Sequence, residues 1–360
     1  MTAKSPVMIM AGGTGGHIFP GLAVAEALRL RGVPVLWLGS EGGMETRLVP
    51  ERGIAIETLA IKGLRGKDLR SLLLAPLRIF TAVRKATVLI RRHKPAAVVS
   101  FGGYTAGPGG LAAWLQGRPL LVHEQNRAPG MTNRLLAHIA DQVMTGFPDS
   151  FPGIANQVVG NPVRQEISAL PAPAMRFADR DGVLRVLILG GSQGARAINE
   201  SLPGIFAGLQ STHRFAIRHQ CGEKMLEQAR AAYTAAGVDA LIEPFITDMA
   251  EAYGWADVVI GRAGALTVAE ICAAGVAGIL IPLPTAVDDH QARNAEYLQH
   301  CGGGLWFRQD EALAKNIAHA LSALAADPQR RLVLAGAARA AAYPQAANDV
   351  ADLIVREMAA

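Results

Sequence analysis

The run AGGTGGH, Ala11 to His17, places four glycines around Thr14 and sets an imidazole directly after them. Glycines let a backbone come close to a ligand, and the unpaired N–H groups and positive dipole end of a helix N-terminus attract anions. Histidine adds a group that exchanges a proton near neutral pH. Thr14, Gly15, Gly16 and His17 therefore form a candidate phosphate-binding turn with a candidate general base beside it.

Spacing argues against one ligand such a turn could hold and excludes another. A dinucleotide fingerprint needs GxGxxG. From Gly13 the run reads Gly13-Thr14-Gly15-Gly16-His17-Ile18, with Ile18 in place of the last glycine, and GGSQGAR further on fails too. No Gly-Lys-Ser/Thr follows either loop, which removes a P-loop.

Other chemistry-bearing groups stand at similar places. FGGY puts Gly102, Gly103 and Tyr104 after an apolar run, and LVHEQN puts His123, Glu124 and Asn126 after another. A His-Glu pair suggests a metal, but no HExxH or third ligand stands nearby, and hydrogen bonding to a sugar or phosphate fits better. His123 and Glu124 are also alternative candidates for the base. Towards the C-terminus, VVIGRAGALTVAE starts a helix whose Ala265, Leu266 and Thr267 would offer backbone N–H groups to a diphosphate. Glu270, one turn inside, is placed to accept from a ribose hydroxyl, or else is a capping or surface carboxylate. In DDHQARNA, Gln291 and Asn294 lie three apart and share a helical face. The DRD at Asp179–Asp181 mimics a metal-binding DxD but precedes its strand, so it reads as a solvated linker.

These groups need elements to hold them. VMIM, VPVLWLGS, AAVVSFGG and PLLVHEQN alternate with helical periodicity, which argues βαβ units and a parallel sheet. Leu22, Val24, Ala25 and Leu28 mark the first helix, with Pro20 near its first turn and Gly32 as its stop. The pattern restarts at VLRVLILGGSQGARAINESL after a Pro-rich polar stretch. A chain of 360 residues also suits two cores better than one. The expected domains are 1–161 and 162–341, with a linker at VVGNPVR and a final helix over 342–360 whose packing the spacing leaves open. Glycine loops at strand ends in both halves outline the walls of a cleft, since ligands of open α/β sheets bind outside the carboxyl ends of strands.

The three cysteines show no CxxC spacing and are expected to be reduced. The apolar run near the N-terminus is too short for a signal segment, and no stretch approaches the roughly 18 apolar residues that span a bilayer. Net charge is +5, which admits nucleic acid, anionic membrane and phosphorylated ligands alike. Its distribution separates them. From Lys62 to Lys94, ten Lys and Arg side chains face one acid, Asp68, and interleave with Leu72, Leu73, Leu74, Leu77, Ile79, Phe80 and Val83. Such a basic, apolar segment suits an anionic membrane surface, whereas nucleic acid would call for stacking aromatics that are sparse here. The competing reading is an ordinary helix with its apolar face in the core.

Together, GGTGGHIFPGLAVAEAL, FGGYTAGP, HEQN, VVGNPVR, GGSQGAR, FITDM and GALTVAE resemble the MurG family, the lipid II-forming N-acetylglucosaminyltransferases of glycosyltransferase family 28. The resemblance runs from about Val7 to about Asn294 with the motifs in family order. It implies the GT-B fold, α/β with two Rossmann-like domains whose parallel sheets face across a cleft. It implies transfer from UDP-N-acetylglucosamine to lipid I, an undecaprenyl-diphosphate-linked N-acetylmuramoyl-pentapeptide, for peptidoglycan. The site would lie peripherally at the cytoplasmic face of the bacterial inner membrane, with room for contacts to other cell-wall synthesis or division proteins. No nucleic acid and no cofactor are implied.

By the same resemblance, Thr14, Gly15 and Gly16 lie near the sugar and diphosphate, while Asn126, Arg164 and Ser192 contact the donor. The backbone of Ile246 reads the uracil edge, and the segment Ala265, Leu266, Thr267, Val268, Ala269, Glu270 serves diphosphate and ribose. Gln291 meets the N-acetylglucosamine hydroxyls, and Gly102, Gly103 and Tyr104 belong to the acceptor side. RAGA stands where RSGA is common, and DDHQARNA replaces a glutamine pair of some relatives. Inverting transfer needs a base for the acceptor hydroxyl and a group to meet the departing diphosphate. His17 leads as base, and backbone N–H groups with an arginine are expected to meet the diphosphate without an obligatory divalent ion. A UDP-N-acetylglucosamine epimerase or a glycolipid glycosyltransferase of the same fold are the alternatives.

Overall fold

The structure is a computed structural model, and it describes residues 5–61, 75–191 and 195–359. The chain folds as two compact units, Met1–Val163 with Gln345–Ala360, and Arg164–Pro344.

In the N-terminal unit, the described strands are β1 (Val7–Ala11), β2 (Val35–Ser40), β3 (Ala55–Leu59), β4 (Ala97–Gly102), β5 (Leu120–Glu124), β6 (Gln142–Thr145) and β7 (Gln157–Val158). They pair in the order β3-β2-β1-β4-β5-β6-β7, all parallel. β1 is central: Val7 pairs with Val35 on one side and Ala97 on the other. Its unbroken apolar run VMIMA is what a strand buried on both faces requires. Val7, Ile9 and Ala11 pack with Val24 and Leu28 of the helix Gly15–Leu30, while Met8 and Met10 pack with Ala86 and Ile90 of the helix Ala75–His93. The alternation follows from the period of two along a strand.

The final helix, Ala346–Ala359, belongs to this same unit. Val350, Ala351, Leu353 and Ile354 join the cluster of Val24 and Leu28, and Arg31 Nε donates to Asp352 at 2.9 Å. The chain thus returns to finish its first core.

The C-terminal unit repeats the design with β8 (Leu184–Leu189), β9 (Phe215–Gln220), β10 (Leu241–Glu243), β11 (Val258–Gly261), β12 (Ala277–Leu280) and β13 (Gly304–Trp306). Their order, β10-β9-β8-β11-β12-β13, is again the doubly wound one. In each sheet the order reverses between the first and fourth strands. Those neighbours end in glycine loops: Gly12 and Gly103 in one unit, Gly190 and the segment after Gly261 in the other.

Two local features position the loops. The first helix starts at Gly15, so His17 is a helical residue and Pro20 lies inside the helix rather than in its first turn. Proline has no N–H, and the Gly16 carbonyl loses its usual partner there. The helix Ala265–Ala274 ends at Gly275, φ +63°. Arg176 Nη2 donates to the carbonyls of Ala274 and Gly275 at 2.6 Å each, and Arg339 donates to Ala273. These cations sit at the negative end of the helix dipole and anchor a helix whose N-terminus stands at the exit of β11.

Candidate functional site

The Gly12–Gly16 turn leaves β1 and becomes a helix at Gly15 with Thr14 as its N-cap, in extended backbone. Helix geometry leaves the N–H groups of Gly15 and Gly16 without intrahelical acceptors. Thr14 is exposed and Gly15, Gly16 and His17 are half-buried, so the first turn meets solvent. His17 Nδ1 lies 3.1 Å from the Gly12 carbonyl. A carbonyl only accepts, so Nδ1–H donates to it, and in the neutral ring Nε2 is then the acceptor.

β4 is hydrogen-bonded to β1, and a register irregularity between Met10 and Ala11 brings Ala11 opposite Gly102. A Cβ on Gly102 would stand 3.1 Å from His17 Nε2, so the imidazole edge borders this turn. Gly103 has φ +93°, and a Cβ there would come within 2.6 Å of the Gly12 carbonyl oxygen. Only glycine satisfies both conditions. Tyr104 follows, 52% exposed, with its ring against Gly13.

His123, Glu124 and Asn126 end β5 and hold different stations. His123 is fully buried; Nε2 donates to Gly160 O at 3.0 Å and Nδ1 accepts from Gln125 Nε2 at 3.1 Å. Burial pushes its pKa down to about 4, against a smaller opposing pull from Gly160. Glu124 is 2% exposed. Its Oε1 accepts from the Asn126 backbone N–H at 2.9 Å and side chain at 3.2 Å, and its Oε2 from Gly130 N–H at 3.1 Å and Asn133 Nδ2 at 3.0 Å. Asn133 also receives Ser100 Oγ–H at 2.8 Å. Glu124 thereby shapes the loop that carries half-buried Asn126. Sequence reasoning passed over Asn133; its one signal is a polar side chain on the apolar side of the short helix Met131–Leu136.

In the C-terminal unit, Gly264 caps the helix that begins at Ala265, and Val268 N–H is the first to reach back, to Gly264 O at 3.0 Å. The N–H groups of Ala265, Leu266 and Thr267 therefore point out of the helix start. Ala265 and Val268 are buried in the unit, whereas Leu266, Thr267 and Ala269 are half-buried. Glu270 is neither a cap nor a surface group. It is 6% exposed, accepts from Arg164 Nη2 at 2.8 Å through Oε1, and from Tyr253 Oη at 3.1 Å through Oε2. Burial first, then the charge of Glu270, raises the Tyr253 pKa well above its ordinary value, which keeps the phenol a donor. Burial opposes the Arg164 charge, but Glu270, Tyr253 and Glu166 outweigh it and raise its pKa. Nothing in the spacing pointed to Tyr253.

Arg262 turns inward, with Nη1 on the carbonyls of Ile281 and Pro282 at 3.1 and 3.2 Å and Nη2 on Gln309 at 2.7 Å. Ile246 is buried and gives its N–H to Gln220 Oε1 at 3.2 Å. Gln291 Oε1 accepts Leu283 N–H at 2.9 Å, and buried Asn294 donates to Ala263 O at 3.1 Å. Both residues therefore clamp strand exits from the start of the helix His290–His300. Ser192 lies outside the described residues. Asp181 accepts Val183 N–H at 3.3 Å, ahead of β8 and away from the loops.

Of the basic segment, 62–74 lies outside the described residues. The helix Ala75–His93 sends Ala82, Ala86 and Ile90 to the core, one turn apart. Leu77, Ile79 and Phe80 are 62%, 40% and 60% exposed, so this apolar set is not the core face. Arg78, Arg84 and Lys85 are exposed beside them.

Comparison with known proteins places this geometry. Residues 7–145 match the glycosyltransferase family 28 N-terminal domain and residues 185–354 its C-terminal domain. A UDP-N-acetylglucosamine--N-acetylmuramyl-(pentapeptide) pyrophosphoryl-undecaprenol N-acetylglucosamine transferase from Xanthomonas campestris pv. campestris (strain 8004) is 59% identical over 352 residues, covering 98% of this chain and 82% of the relative. The chain belongs to the MurG family of glycosyltransferase family 28. Its counterpart from Xylella fastidiosa (strain M12) is 56% identical and covers 99% of this chain and 97% of its own length. A crystal structure of Acinetobacter baumannii MurG superposes with a TM-score of 0.85 at 41% identity, covering 98% of this chain and 99% of that one. The paired parallel α/β units are thus the GT-B fold of the MurG family.

Proposed function

We propose that this chain is the inverting hexosyltransferase that moves N-acetylglucosamine from UDP-N-acetylglucosamine to the C4 hydroxyl of N-acetylmuramic acid in lipid I, making the β(1→4) bond of lipid II for peptidoglycan. Family membership over nearly the full chain supports the reaction. One observation carries the assignment of the base: His17 Nδ1 on the Gly12 carbonyl, which leaves Nε2 as acceptor beside the Gly102 turn. His123 has both ring nitrogens engaged and no exposure, and Glu124 already serves four donors. His17 Nε2 takes the proton of the acceptor hydroxyl as its oxygen attacks the anomeric carbon.

On the donor side, the outward N–H groups of Ala265, Leu266 and Thr267 meet the charge left on the diphosphate as the sugar departs. Glu270 accepts ribose hydroxyls through lone pairs that Arg164 and Tyr253 leave open. With its N–H on Gln220, Ile246 offers its carbonyl to the uracil edge. Gln291 reads the sugar hydroxyls, and Arg164, Asn126 and Ser192 are further donor contacts. Gly15 and Gly16 N–H groups, with Gly102, Gly103 and Tyr104, receive the acceptor.

No helix among the described residues is long and apolar enough to cross a membrane. A lipid-linked acceptor is reached instead through the exposed Leu77, Ile79 and Phe80 and their flanking cations, lying on the anionic inner leaflet at the cytoplasmic face. Release of UDP that depends on a lipid I analogue tests the reaction. Epimerised sugar nucleotide formed without any acceptor would overturn it in favour of an epimerase.

A further inference from the structure

The stretch GSEGGMETRL, Gly39 to Leu48, carries a carboxylate that the reaction so far leaves unused. Glu45 opens a short helix, Glu45–Leu48, just after β2, and it is 0% exposed. Burying a carboxylate without hydrogen bonds is costly, so its partners matter. Oε1 accepts Ser40 N–H at 2.8 Å and Ser40 Oγ–H at 2.6 Å, and Oε2 faces Gly13 N–H at 3.4 Å. All three donors are neutral.

The backbone closes tightly on this side chain. A Cβ on Gly12 would stand 2.4 Å from Oε1, and one on Gly43 would stand 2.4 Å from both oxygens. Gly12 is also confined by Gly103, whose Cβ would meet the Gly12 carbonyl at 2.6 Å. The Gly12 peptide is therefore held between Glu45 and the β4 turn. Its carbonyl is the acceptor for His17 Nδ1 at 3.1 Å. Because Gly13 N–H turns towards Glu45, anion binding at this turn falls to Gly15 and Gly16.

We propose that Glu45 is a positioning residue: it fixes the Gly12–Gly13 backbone so that Gly12 O holds His17 Nδ1–H and Nε2 faces the acceptor hydroxyl. The inference rests on the reading of His17 as base. A carboxylate acting through a carbonyl differs from one bonded directly to an imidazole, but the consequence is alike, since both select one tautomer and one ring orientation.

The test is Glu45→Gln, which replaces one acceptor oxygen by an NH2 group facing Ser40 or Gly13 donors. Ser40→Ala is the milder companion, since it removes the shortest bond and keeps the carboxylate. Both are measured for kcat and KM separately and for the 15N shifts of the His17 ring, assigned by its loss in His17→Gln. A displaced loop is expected to lower kcat about 10- to 100-fold in Glu45→Gln while the UDP-N-acetylglucosamine KM stays within about 2-fold, with a smaller drop of the same kind in Ser40→Ala. The His17 signals should move from the Nδ1–H pattern towards a tautomer mixture in both. Wild-type 15N shifts in both variants would overturn the proposal; if Glu45→Gln does not fold, wild-type shifts in Ser40→Ala overturn it alone. Normal turnover of His17→Ala overturns the base assignment and the catalytic consequence of Glu45, while the 15N shifts still decide whether Glu45 sets the imidazole.

Discussion

Arg164 and Glu270, 106 positions apart in the chain, meet at 2.8 Å, and Tyr253 closes the other side of the same carboxylate at 3.1 Å. The three side chains tie the segment after the first unit to the helix Ala265–Ala274, whose N–H groups are proposed to meet the diphosphate.

Removing Glu270 takes one acceptor from a buried phenol and one from a partly buried guanidinium. Glu270→Ala is expected to cost about 1–3 kcal/mol of stability and to weaken UDP-N-acetylglucosamine binding about tenfold or more. Urea denaturation and calorimetric titration measure the two effects. Unchanged donor affinity would remove Glu270 from the ribose site.

His17→Ala is expected to lower kcat by about 100- to 10,000-fold, the usual range for a lost general base. Donor binding should persist, because the residues assigned to the donor, Asn126 apart, lie in the other unit. Steady-state kinetics beside a UDP-N-acetylglucosamine titration separate the two.

Stability should fall on the acid side. Burial holds His123 and His219 each at about 4, below the ordinary 6.5. With a folded pKa below the unfolded one, the unfolded chain binds more protons across this window, so stability rises with pH. The contribution is complete above about 6.5 and disappears as pH falls towards 4, on the order of 3 kcal/mol for each histidine. Urea midpoints at pH 7.5 and 5 should separate, and His219→Gln should reduce the gap. A gap equal to the wild type would exclude His219 as a source.

The exposed face of the helix Ala75–His93 should matter for membranes and little for folding. Neutralising Arg78, Arg84 and Lys85 removes on the order of 1 kcal/mol of attraction to anionic lipid for each cation near the surface. Flotation with vesicles rich in anionic lipid should fall steeply, and further with Leu77→Ser and Phe80→Ser, while thermal unfolding stays near the wild type. Equal flotation of all variants would sink the membrane face.

Much of the fold was legible because it is local. VMIMA and VLRVLIL announce buried parallel strands, and the glycine loops that follow them mark strand exits whatever surrounds them. The first helix starts at Gly15, several residues before the Pro20 that suits a first turn, because packing of Leu22, Val24 and Leu28 on β1 and β2 carries the helix through the proline. The basic segment was ambiguous for a related reason. Periodicity counts apolar residues on a helix but cannot tell whether Ala82, Ala86 and Ile90 or Leu77 and Phe80 meet the core.

The amino-acid sequence by itself determined the doubly wound class, the placement of glycine loops at strand ends and membership of the MurG family, since all three reside in short motifs and their order. Only the tertiary structure decided which polar groups are available for chemistry. His17 and His123 are the same residue type near two strand exits, yet one presents a free nitrogen edge at the Gly102 turn and the other is sealed between Gly160 and Gln125. Glu270 likewise gained Arg164 and Tyr253 from other elements of its unit, and Glu45, besides its near neighbour Ser40, gained Gly13 from the loop after β1. Burial and hydrogen bonding set the protonation and reach of a side chain, and both are properties of its neighbours in space rather than of its neighbours in sequence.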